Sequence, residues 1–97
     1  MIIVIGTARA RSNRRDELLT AMHDVVRDTR RDDGCVSYRF AADIADPDVI
    51  VGIEVWRDQA ALDAHMEHDH TATFLAAVPD LIDGEPDLAI HQVEVPA

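Results

Sequence analysis

The stretch VIVGIEVW, residues 49–56, sets the tightest limit on what this chain can fold into. It is rich in β-branched residues and too short for a stable helix, so it reads as a strand. Alternation puts Val49, Val51, Ile53 and Val55 on one face and Ile50 and Trp56 on the other. A strand that is apolar on both faces has to be covered on both. The opening MIIVIGTA has the same character, with residues 2–5 apolar throughout. CVSYRFAAD, beginning at Cys35, alternates Val36, Tyr38 and Phe40 against Cys35, Ser37 and Arg39. The turn residues of IADPD then fold it back onto 49–56, which predicts a hairpin over 35–56.

Residues 12–34, SNRRDELLTAMHDVVRDTRRDDG, carry helical spacing instead. Leu18, Leu19, Met22, Val25, Val26 and Thr29 fall within a sector of ~120°. Ser12 or Asn13 is the expected cap, Asp16 and Glu17 suit the positive first turn, and Gly34 is the expected stop. A second helix is expected from a cap at Asp58, then a short one through TATFLAAV to Pro79, and a closing strand in DLAIHQVEV. The order β-α-β-β-α-β belongs to the α+β class: an antiparallel ferredoxin-like split βαβ sheet in a single domain over residues 1–97. Two helices cover one face of such a sheet. The apolar second face therefore predicts a homodimer, which also adds burial to a chain small enough to hide only roughly 60–65% of its unfolded surface.

Charge and composition remove several function classes. Nine arginines against 19 acidic residues leave a formal charge of −10, which disfavours nucleic acid and anionic membrane surfaces as partners. The chain has no lysine, so Schiff-base catalysis and the lysine-dependent phosphate loop are excluded. Cys35 is the sole cysteine, which rules out an internal disulfide and multi-cysteine metal sites and suits a reducing compartment. No segment approaches the ~20 apolar residues of a membrane span, and the N-terminal stretch lacks the layout of a signal peptide. A cytoplasmic setting is the expectation.

Residues 54–70, EVWRDQAALDAHMEHDH, concentrate the chemistry. With Asp58 as cap, Ala61, Leu62, His65 and Met66 form one stripe facing the sheet, while Asp63 and Glu67 face solvent. His68 falls at the stripe's edge and His70 beyond a bend, so the three histidines do not share a helix face. H-x-x-H-x-H also matches no zinc spacing, and no metal site is expected. Glu54 lies within an apolar strand, where an unpaired carboxylate is costly and its pKa rises. It is either functional or simply paired with Arg39 or Arg57. His65 has an equally plain alternative as a core-edge histidine on a backbone carbonyl, the aromatic residues as ordinary core, and Cys35 as a small strand residue.

Gly34-Cys35-x-x-Tyr38, followed by Glu54-x-Trp56-x-Asp58-x-x-Ala61-Leu62-x-x-His65, His70 and Phe74, resembles the antibiotic biosynthesis monooxygenase family over nearly the whole chain. The resemblance implies a dimeric α/β-barrel and a cofactor-free oxygenase that joins O2 to a quinol, an anthrone or a similar small aromatic substrate, with no metal or flavin. It implies His65 as base, His70 and Glu54 as orienting or relay groups, and Tyr38, Phe40, Trp56, Leu62, Met66 and Phe74 as pocket walls. The chain departs from the family's aromatic-polyketide oxygenases in having Gly52 where they carry Asn. It departs from the haem-degrading relatives in offering Thr7 near the end of the first strand, again in place of Asn. Two alternatives stand beside oxygenation: an isomerase or lyase on the same fold, whose phosphorylated substrate would call on Arg9 or Arg39, and a non-catalytic dimeric binding or stress-associated domain.

Overall fold

A computed structural model of the chain describes residues 1–94. Strand β1 (Ile2–Ala10) leads into helix α1 (Arg15–Thr29). The hairpin β2 (Cys35–Ala42) and β3 (Val49–Trp56) follows, then helices α2 (Gln59–Met66) and α3 (Asp69–Leu81) and strand β4 (Ile82–Gln92). The strands form one antiparallel sheet in the order β2-β3-β1-β4, the ferredoxin-like arrangement.

Register decides which side chains meet. Glu54 stands opposite Val4 on β1 and Tyr38 on β2, and Gly52 stands opposite Gly6 and Phe40. Directly paired residues point to the same side, so Ile50, Gly52, Glu54 and Trp56 share the helix-facing surface with Ile2, Val4, Tyr38 and Phe40. Leu18, Met22 and Val25 of α1 pack down on this surface, each burial contributing about 1.5–3 kcal/mol before entropy is counted. Gly52 is required here, because a Cβ at that position would stand 2.7 Å from the Phe40 ring. The opposite face carries Ile3, Ile5, Val51, Ile53 and Val55, with Ile5 and Ile53 exposed.

Four local expectations are corrected. Helix α1 begins after Arg14, whose side chain makes no capping bond, while Asn13 takes φ 67° in the approach instead of capping. The helix also ends at Thr29 rather than running to Gly34. That glycine sits at φ 81° immediately before β2, with Ala61 packed so closely that a Cβ would stand 2.4 Å from it. Pro79 lies inside α3 instead of ending it. The exposed carbonyls at that end are met by Arg11, which donates to the Pro79 and Ile82 carbonyl oxygens at 3.1 and 3.3 Å. Finally, β4 starts at Ile82, not Asp87, and ends at Gln92, not Val95, which lies outside the described residues. Gly84 and Pro86 fit because β4 is an edge strand and a register shift opposite Ala8 absorbs them.

Candidate active site

A cavity of about 400 Å³ opens between the helix-facing side of the sheet and the helices. Tyr38 and Phe40 come to it from β2, Glu54 from β3, Leu62, His65 and Met66 from α2, and Thr71 and Phe74 from α3. Its volume lies within the ~300–1,000 Å³ of typical small-molecule sites. Among the described residues, no arginine lines it: Arg9 pairs with Asp46, and Arg39, opposite Ile53, belongs to the other face of the sheet. An arginine-held phosphate is therefore not supported.

Helix α2 places His65 as its phase predicts. Asp58 caps the helix by accepting from the Ala61 N–H at 2.9 Å, and Ala61, Leu62 and His65 are buried. Met66, the last residue of α2, departs from the stripe and is 52% exposed; its side chain lines the cavity from the rim. Trp56 is fully buried and lies behind the cavity, its ring centroid 4.6 Å from that of His65. It is not a wall.

Behind His65 stands Asp32, a residue that the sequence did not single out. It lies in the turn after α1 with its carboxylate 7% exposed. His65 Nδ1 is 3.2 Å from Asp32 Oδ2, His70 Nε2 is 3.0 Å from the same oxygen, and His68 Nε2 is 3.7 Å from Oδ1. The Thr71 hydroxyl also lies 3.2 Å from His65 Nδ1. His65 and His70 thus converge on one carboxylate oxygen, with His68 beside the other, contrary to the expectation from helix phase. The reason is the break at His68, which caps α3 and swings His70 back toward the turn. The premise on which a metal site was set aside does not hold. His70 itself does not reach the cavity; it braces Asp32 from behind.

Glu54 pairs with neither Arg39 nor Arg57, the latter being engaged by Asp33 and Asp58. Its Oε1 accepts from the Trp56 indole N–H at 3.0 Å and lies 3.9 Å from His65 Nε2. Burial pushes the Glu54 carboxyl above its ordinary value, against the opposing effects of the Trp56 N–H and of His65. Tyr38 is pushed far above the usual phenol range, first by burial and then by Glu54. It therefore stays a neutral O–H donor at the cavity wall. In the tautomer that gives the His65 Nδ1–H to Asp32, the lone pair of Nε2 points toward Glu54 and the cavity, the arrangement of a carboxylate-oriented imidazole base.

A family model described as antibiotic biosynthesis monooxygenase matches residues 1–77. The uncharacterized protein sll1783 of Synechocystis is 27% identical over 92 residues, covering 95% of this chain; the chain spans 63% of that protein's length. YcnE of Bacillus subtilis, provisionally named a monooxygenase, is 25% identical over 88 residues, 91% of this chain and 93% of that protein. A crystal structure of an antibiotic biosynthesis monooxygenase superposes with a TM-score of 0.89 at 27% identity, covering 99% of this chain and 100% of that one.

Proposed function

Because this chain belongs to the antibiotic biosynthesis monooxygenase family, we propose that it is a cofactor-independent monooxygenase that oxidises a quinol or similar electron-rich aromatic with O2, in a homodimer that uses the apolar outer face of the sheet. The observation that carries the reading is the Asp32–His65 pair, whose free Nε2 opens into an apolar cavity. His65 accepts the proton of a quinol hydroxyl at Nε2. The Asp32 carboxylate stabilises the imidazolium that forms and holds the ring in its productive tautomer. The resulting quinolate is electron-rich enough to pass an electron to O2 itself. Radical recombination then joins oxygen to the ring, one oxygen atom staying in a hydroxyquinone and the other leaving as water.

The surrounding residues serve that step. Tyr38, kept neutral, donates to the oxyanion of the substrate. Glu54, drawn toward its protonated form by burial, relays a proton between His65 and the departing oxygen. Phe40, Leu62 and Phe74 exclude water, which protects the reduced oxygen intermediate. The single cysteine suits the cytoplasmic setting that this reading includes.

Oxygen uptake against a panel of hydroquinones, measured with and without chelator, tests the proposal. It predicts protein-dependent uptake with at least one substrate and no loss in chelator. Uptake no faster than autoxidation across the panel would overturn it.

A further inference from the structure

Asp32 is a buried carboxylate that meets, among the described residues, no arginine. Its partners are three imidazoles. Burying a carboxylate without a fixed cation is costly, and a metal ion is one of the few partners that would offset the cost in so small a space. Asp32 Oδ2 to His65 Nδ1 is 3.2 Å and Asp32 Oδ2 to His70 Nε2 is 3.0 Å. Donors held ~2.0–2.1 Å from a tetrahedral ion stand ~3.3 Å apart, so two edges of the polyhedron are already in place. All three donor atoms lie within 4.8 Å of one another. Closing the remaining edge requires a small rotation of His70, which is partly exposed in the first turn of α3.

We infer that Asp32, His65 and His70 form a binding site for a borderline divalent ion of the zinc or cobalt class, with water as the fourth ligand. Glu54 faces the distal nitrogen of His65 at 3.9 Å, the side on which a metal-ligating histidine commonly has a carboxylate partner. His68, stacked on His70 with centroids 5.1 Å apart and open to solvent, marks the way in. The two imidazole ligands favour such ions over calcium or magnesium, which prefer all-oxygen sites.

The ion has a chemical consequence. An ion on Nδ1 leaves the ring proton on Nε2, so His65 then donates into the cavity and is no base. Occupancy and base action at His65 therefore exclude each other, and zinc inhibits. This last clause rests on the function proposed above; the site itself does not.

Cobalt(II) titration of the metal-free full chain tests the inference. The wild type is expected to bind one cobalt per chain with the intense visible bands of a four-coordinate ion. His70→Ala and Asp32→Ala, checked for folding by circular dichroism, are expected to lose at least about a hundredfold in affinity, beyond the cost of removing a supporting residue. His23→Ala and His91→Ala remove the two histidines outside the cluster and should leave the spectrum unchanged. If only the weak bands of six-coordinate cobalt appear, or if the signal survives His70→Ala and fades in His23→Ala, the site is refuted. Zinc inhibition of oxygen uptake is read separately, so an inactive protein that binds cobalt refutes only the proposed reaction, and an active one that binds none refutes only the ion site.

Discussion

At the scale of single residues the account turns on His65, Asp32, Glu54 and Cys35. Replacing His65 with Ala should lower kcat ~10²- to 10⁴-fold, the usual contribution of a positioned proton acceptor, while changing the affinity for an unreactive quinone far less. Asp32→Asn tests the orienting role: it should lower kcat with little change in KM, because the amide no longer fixes the Nδ1–H tautomer. Glu54 gives a pH test. Its folded pKa is raised, so the folded state holds the proton more tightly than the unfolded chain does. Stability is then greatest below the ordinary glutamate value and falls as pH rises through the raised one. Glu54→Gln removes that fall, so urea midpoints of variant minus wild type should grow between pH 4 and 7; a constant difference would contradict the burial argument. Cys35 has its thiol pushed up, first by burial, and should react with iodoacetamide more slowly in the native protein than in urea. The inward aim of His65 was legible because helix phase reports it directly. Asp32 was not: an acid in the turn RRDDG looks like any solvated turn residue, and its partner lies 33 positions along the chain.

At the scale of elements, what could be read depended on whether local chemistry or a distant contact sets the boundary. The β2–β3 hairpin, the two-faced β3 and the Asp58 cap follow from patterns within a few residues, and the structure has them. The end of α3 and the start of β4 do not. Pro79 and the DGEP stretch look like stops, yet Arg11, 68 positions from Pro79, satisfies the helix end and the sheet edge tolerates the proline. The convergence of the histidines was hidden for a similar reason, since it depends on the angle between α2 and α3. Gly34 carries the clearest prediction at this scale. Its positive φ and its contact with Ala61 lock the start of β2 to α2, so Gly34→Ala should destabilise the protein by about 1–3 kcal/mol in urea. An unchanged midpoint would mean that Gly34 does not lock this junction.

At the scale of the whole molecule, the sheet has one face under helices and another carrying Ile3, Ile5, Val51, Ile53 and Val55. The homodimer proposed from that surface predicts twice the monomer mass in sedimentation equilibrium at micromolar concentration. Ile53→Glu should shift the balance toward monomer, because a charge at the centre of a buried apolar patch is costly to desolvate. A single monomer-mass species in the wild type would count against it. Among the described residues, no helix is long and apolar enough to cross a membrane. The central claim is that a folded chain with its Asp32–His65 pair and apolar chamber inserts oxygen into an aromatic unaided by a cofactor. Turnover of a hydroquinone under ¹⁸O2 in the presence of chelator reads this directly. Cofactor-free insertion puts one labelled oxygen atom in each hydroxyquinone formed and the second in water; a product that takes its new oxygen from solvent, or turnover that stops when metal is removed, would refute it.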